Sequence, residues 1–229
     1  MRSSKWHALG NAYQLVESDL SPDLVRRQVG ESDGIIEVVE AGHDWVQVRI
    51  WNPDGSQAEM SGNGTRIAAA WLTERTGAEE VEIRVGARKV AVRVVADGLF
   101  EQELGPVEVG EPERIDGIEL IPVSVGNPHA VVRGDPNEIA AVGPRLETHP
   151  RFPGRTNVQV ARVEGPGEVT ARVWERGVGE TASSGTSAAA VAAATHSDGE
   201  VLVHFPGGDL RVRLEGGRAY VTGPAERLE

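Results

Sequence analysis

Glu59-Met60-Ser61-Gly62-Asn63-Gly64-Thr65-Arg66-Ile67-Ala68-Ala69-Ala70 and Glu180-Thr181-Ala182-Ser183-Ser184-Gly185-Thr186-Ser187-Ala188-Ala189-Ala190 are two versions of one stretch. Each is a serine–glycine turn that runs into an alanine-rich segment. Ser61 and Ser184 are 123 positions apart in a chain of 229 residues. Self-similarity at half the chain length implies two related halves. A helix start presents backbone N–H groups that lack internal partners, and its dipole favours an anion there. Gly62 and Gly185 allow close backbone approach. Ser61 and Ser184 facing each other across one bound molecule would hold an anion between two opposed hydroxyls, which suits chemistry on both faces of one carbon. A lone serine before glycine is an ordinary cap; the duplication is what argues for function.

Outward from these turns, the spacing predicts long helices over 63–76, closed by Gly77, and over 186–195. The second has no polar face across Ala188–Ala194, so it is expected to be buried all round. Most of the remaining chain alternates with period two. Val46–Ile50, Lys89–Val94 and Leu210–Leu214 are the clearest strands, with further candidates at 35–39, 81–85, 119–125, 129–133, 157–163, 169–174, 200–205 and 218–222. Short helices open at Ser21-Pro22-Asp23 and Asp135-Pro136-Asn137. The expected fold is α+β, with two pseudo-symmetric domains, each a curled, mainly antiparallel sheet around a central helix. Gly/Pro/acid-rich stretch 105–117 is the expected boundary. The domains are then 1–112 plus 217–229, and 113–216.

Hydrophobic residues make up 39%, enough for a core in each half, and no stretch has the length of a membrane span. A net charge of −12 argues against a nucleic-acid surface. Cysteine is absent, which removes disulfides, thiolate catalysis and cysteine metal sites. The two lysines, Lys5 and Lys89, sit in no recognisable site, which argues against a pyridoxal cofactor. The six histidines show no metal spacing. We expect no cofactor, no metal, no membrane partner and a cytoplasmic location.

Four asparagines stand at strand ends or turns: Asn11, Asn52, Asn127 and Asn157. Asparagine favours turns for local reasons, yet its amide also suits an ammonium and a carboxylate together. In Trp174-Glu175-Arg176-Gly177, adjacent side chains on a strand face opposite ways. Beside a glycine-rich loop, Arg176 offers a fork for a carboxylate and Glu175 a partner for an ammonium. His129, just after the Asn127 turn, is read as tuning a site rather than acting as its base.

At this point the chain resembles the diaminopimelate epimerase family from end to end. Trp6-His7-Ala8-Leu9-Gly10-Asn11 is similar to its opening motif. Arg49–Ser56, Ala58–Arg66, Gly126–Val131, Thr156-Asn157-Val158, Glu175–Thr181, Gly185-Thr186 and Thr222–Ala225 follow its further motifs in order. The resemblance implies a cofactor-independent, homodimeric epimerase that inverts one Cα of a diamino diacid with two bases. It implies that the last strand returns to the first domain. It also implies that the α-carboxylate rests on N–H groups near Gly62, Asn63, Gly185 and Thr186. The far end of the substrate would meet Asn11, Asn52, Asn127, Asn157, Glu175 and Arg176. Both bases are cysteines in the family, and Ser61 and Ser184 stand there here. A hydroxyl is a far weaker acid than a thiol, whose pKa is about 8.5, so an unaided serine would be slower by orders of magnitude. An epimerase or racemase, a proline-racemase-like dehydratase needing one proton abstraction, and a catalytically silent amino-acid-binding protein all fit these residues.

Overall fold

The computed structural model describes residues 2–58 and 60–228. The chain divides into two compact units, Met1–Glu103 with Thr222–Glu229, and Leu104–Val221.

In the first unit, β1 (Arg2–Ala8) and β2 (Asn11–Glu17) form an antiparallel hairpin turned by Leu9-Gly10. Both turn residues have positive φ, 47° and 84°, the mirror-image turn that matches strand twist. A leucine held there is strained. α1 (Pro22–Gln28), capped by the Ser21 side chain, carries the chain over to β3 (Gly34–Ala41), parallel to β2. β4 (Trp45–Trp51) runs antiparallel to β3 and then to the short β5 (Gln57–Ala58). α2 (Gly62–Thr76) makes the second crossover, to β6 (Glu80–Val85), parallel to β4. β7 (Arg88–Ala96) and β8 (Leu99–Pro106) continue antiparallel. Parallel neighbours require such crossovers, which is why both helices sit where they do. Asn63 through Leu72 are all buried, so α2 is enclosed rather than laid on a surface. Trp6, Ile36, Val48, Ile50, Ile83 and Val90 pack around it. A fully buried Ile or Leu contributes about 1.5–3 kcal/mol, so this cluster dominates the unit's stability. Gly77, at φ 73°, ends α2 by donating its N–H to the Thr73 carbonyl.

The second unit begins with β9 (Glu108–Val109), β10 (Glu113–Ile115) and β11 (Ile118–Ser124). It then repeats the plan. β11 is antiparallel to β12 (Pro128–Arg133), and β12 is parallel to β13 (Asn157–Gly165) across α3 (Ile139–Glu147). β13 is antiparallel to β14 (Glu168–Glu175), which meets the short β15 (Gly179–Thr181). α4 (Gly185–Thr195) crosses to β16 (Gly199–Phe205), parallel to β14, and β17 (Gly208–Glu215) follows antiparallel. β18 (Arg218–Pro224) and β19 (Glu226–Leu228) complete the chain; β19 pairs with β1, which joins the C-terminus to the first unit. α4 carries no side chain larger than valine, and nearly all of it is buried.

The observed fold is sheet-dominated α+β with few helices, each unit a sheet around one buried helix. The sheets are more mixed than expected, since each unit contains two parallel pairings. The unit boundaries fall inside β8 and β18 rather than in the 105–117 stretch or at 217. That stretch is drawn into β8, β9 and β10, because its Val109 and Ile115 take up strand positions despite the surrounding glycines and acids.

Candidate active site

Register fixes which residues are equivalent in the two repeats. Trp51 pairs with Ile35 and Gln57, and Trp174 pairs with Val158 and Glu180. Ser61 and Ser184 each follow four residues after the partner on the short strand, at the N-cap of the enclosed helix. By the same register Asn52 corresponds to Glu175, and Gly34 to Asn157. Tyr13, paired with Gly34, corresponds to His129, paired with Asn157.

Around α2, one face of β2 supplies the site, because residues two apart on a strand share a face. Asn11 Oδ1 accepts from Asn63 Nδ2, and Tyr13 Oη lies 3.2 Å from Ser61 Oγ. Ser61 Oγ also accepts from the Gly64 N–H at 3.0 Å, a conventional side-chain cap. Asn63 is buried, and its Oδ1 accepts from Arg66 Nη2. Arg66 is fully buried without a carboxylate partner among the described residues, and desolvation lowers its pKa to about 10. Asn63 therefore uses its side-chain amide inside the protein. Asn52 belongs to a tight turn, where its Nδ2 donates to Ser56 Oγ at 2.9 Å.

Around α4 the same positions hold different chemistry. Ser184 makes no cap bond, and its hydroxyl lies close enough to the Glu175 carboxylate to pull that group's pKa down. Thr181 Oγ1 donates to Glu175 Oε1 at 2.6 Å. Glu175 shows part of its surface to solvent, but its carboxyl lies within a shell of protein atoms. Burial raises its pKa above the ordinary carboxylate value, against the opposing pull of Thr181 and Ser184. Among the described residues no protein group accepts from the backbone N–H of Gly185 or Thr186, which leaves that helix end open to an anion.

The remaining predicted residues support this end. Asn157, buried, donates from Nδ2 to the Pro128 carbonyl at 3.0 Å and accepts from the Arg176 N–H at 3.0 Å. Its amide ties two loops together. Arg176 and Glu175 are not paired with each other; Arg176 Nη1 donates to the Gly154 carbonyl at 3.3 Å. His129 is buried, with Nε2 3.0 Å from Asn127 Oδ1 and Nδ1 3.0 Å from Gln159 Nε2. Desolvation, with the charge of Arg176 against it, lowers its pKa to about 3, so it is neutral and fixes the Asn127 amide. Glu147 accepts from Trp174 Nε1 and the Gly177 N–H, clamping the loop that carries Glu175 and Arg176. Tyr13, Gln159, Thr181 and Glu147 were not singled out from the sequence. Of these, Tyr13 had a readable signal, since Asn11, Tyr13 and the buried Leu15 alternate along β2. Among the described residues no cluster of three metal-binding side chains occurs, and no helix is long and apolar enough to cross a membrane. A surface depression in the first unit lies around Trp71 and Arg75, at the far end of α2 from Ser61.

A profile of diaminopimelate epimerases matches residues 4–113 and 121–228. The chain belongs to the diaminopimelate epimerase family. The diaminopimelate epimerase of Thioalkalivibrio sulfidiphilus is 34% identical over 266 residues, covering 98% of this chain and 96% of the relative. That of Moorella thermoacetica is 36% identical over 271 residues, covering 98% and 96%. Members of this family are epimerases, hence isomerases. Solved structures share the fold at low identity. A predicted epimerase from Pseudomonas aeruginosa has a TM-score of 0.78 at 18% identity, covering 100% of this chain and 97% of that one. A hydroxyproline epimerase from Agrobacterium vitis, solved with trans-4-hydroxy-L-proline, has a TM-score of 0.67 at 15% identity, covering 99% and 88%.

Proposed function

We propose that this protein is a cofactor-independent amino-acid epimerase acting on diaminopimelate, converting the LL to the meso form. In this reading Ser184 and Ser61 exchange protons with Cα from its two faces. The observation that supports it is the Glu175 carboxylate beside the uncapped Ser184 hydroxyl, at a helix end whose first N–H groups stay open. The resemblance implies a thiol at this position, which ionises far more readily than a hydroxyl. Glu175 offers the missing base. As Ser184 Oγ takes the Cα proton, its own proton passes to the carboxylate. The electron pair left on Cα spreads into the substrate carboxylate. The N–H groups of Gly185 and Thr186, with their counterparts near Gly62 and Asn63, stabilise that charge. Ser61 delivers a proton to the opposite face. Asn11, Asn52, Asn127 and Arg176 are assigned to the distal ammonium and carboxylate.

The test is LL-diaminopimelate in heavy water, followed by NMR. Exchange of the α-hydrogen with inversion supports the epimerase, loss of water supports a dehydratase, and no change supports a binding protein. Replacing Ser61 and Ser184 by cysteine is expected to raise the inversion rate by orders of magnitude. An unchanged rate would remove both serines from the base positions. The same family relation leads us to propose a homodimer, which sedimentation checks.

A further inference from the structure

The two serines do not have equivalent partners. At Ser184 the neighbouring proton-active group is the carboxylate of Glu175, whose counterpart in the first unit is the amide of Asn52. At Ser61 the neighbour is the phenol of Tyr13, whose counterpart in the second unit is the neutral imidazole of His129. Each repeat thus holds one proton-active group on its cap serine, a carboxylate in one and a phenol in the other. We propose that Tyr13 is the proton-relay residue of Ser61, so that the Ser61 end rests as an acid and the Ser184 end rests as a base. The proposal rests on the epimerase reading given above.

Three features of the first unit support it. Ser61 Oγ accepts from the Gly64 N–H on one lone pair, at 3.0 Å, and faces Tyr13 Oη with the other, at 3.2 Å. With the phenol donating, both acceptor sites of the serine are filled, and its own O–H is left as a donor to the reacting carbon. The phenol ring is also seated. A Cβ on Gly34, paired with Tyr13 across β2 and β3, would lie 2.5 Å from the Trp51 carbonyl oxygen and 2.9 Å from Tyr13 Cε1, so the ring lies directly against this bare position. The strained Leu9-Gly10 turn sets the register of β2 that aims Asn11 and Tyr13 at the same helix end.

The proton balance closes. In the forward direction the Cα–H bond breaks, its proton goes to Ser184 Oγ, and the former Ser184 proton goes to Glu175. On the other face the Ser61 O–H proton forms the new Cα–H bond. Ser61 takes the Tyr13 phenol proton and leaves a phenolate. Exchange with water then restores the phenol and the carboxylate before the next forward turnover.

The experiment combines Tyr13→Phe with Ser61→Cys. Inversion of diaminopimelate and α-hydrogen exchange are measured across pH in the full chain, with thermal unfolding as a check on folding. In the serine background Y13F is expected to slow inversion at least tenfold, to leave KM within about twofold, and to alter the alkaline limb of the kcat/KM profile. In the S61C background the loss from Y13F is expected to shrink below about threefold, because the thiol ionises on its own. Full activity of Y13F, or an equal loss in both backgrounds, overturns the relay while leaving the epimerase standing. No exchange or inversion by the unaltered protein overturns the underlying reading and the relay with it.

Discussion

His129 is held neutral by burial, since its ring is 1% exposed and its two nitrogens are taken by Asn127 and Gln159. In the unfolded chain it titrates near 6.5 and in the fold near 3. The unfolded state therefore binds the extra proton between those values. The associated stability is complete above pH 6.5 and is lost as pH falls towards 3. At pH 5 the loss is about 2 kcal/mol, from 1.36 kcal/mol per pH unit. Replacing His129 by Gln should flatten the dependence of the urea midpoint on pH between 6.5 and 4; an unchanged slope would place the acid sensitivity elsewhere. Sequence reading reached His129 and Asn127 because both stand in one short motif. It passed over Tyr13 and Gln159, whose roles depend on which face of a strand meets a helix end. Asn63 and Asn157, read as substrate-binding residues, also hydrogen-bond within the fold, Asn63 to the buried Arg66 and Asn157 to two loops, and those partners depend on packing that the sequence does not display.

The two central helices differ at their first residue. Ser61 caps α2 through its side chain, whereas Ser184 gives α4 no such bond. Ser61→Ala should therefore lower stability by about 1 kcal/mol through the lost cap, whereas Ser184→Ala has no cap to lose. Equal losses by denaturant unfolding would contradict the asymmetry. Both helices were legible in the sequence, because glycine, serine and a run of alanines mark start and body together. β1 and β2 were not. Arg2-Ser3-Ser4-Lys5 is polar throughout and mostly exposed, so no alternation betrays it. α3 was expected to be short. It runs to Glu147 with Pro144 inside, held by the packing of Ile139, Val142 and Leu146 against β13. Gly143 has its own reason, because a Cβ there would lie 2.6 Å from Trp174 Cβ. Gly143→Ala should cost about 1–3 kcal/mol by overpacking that contact.

The chain as a whole contains no thiol. If serines perform the reaction, turnover should be untouched by iodoacetamide or mild peroxide, reagents that attack thiolates. Loss of inversion under alkylation would mean another nucleophile carries the chemistry. The twofold repeat was visible at this level from the two serine–glycine stretches alone. The exact break between the units was not, because it falls inside continuous strands that look like any other alternating segment. A last consequence concerns α4, whose enclosed length is faced with little but methyl groups. Alanine has no side-chain torsion to change, so this axle has almost no soft internal motions through which an arriving molecule could be accommodated. Any adjustment at its tip must come from the loop bearing Glu175 or from displacement of the whole rod. Selectivity for one amino acid over another is then built into the surrounding turns, where sequence can change without disturbing the mount.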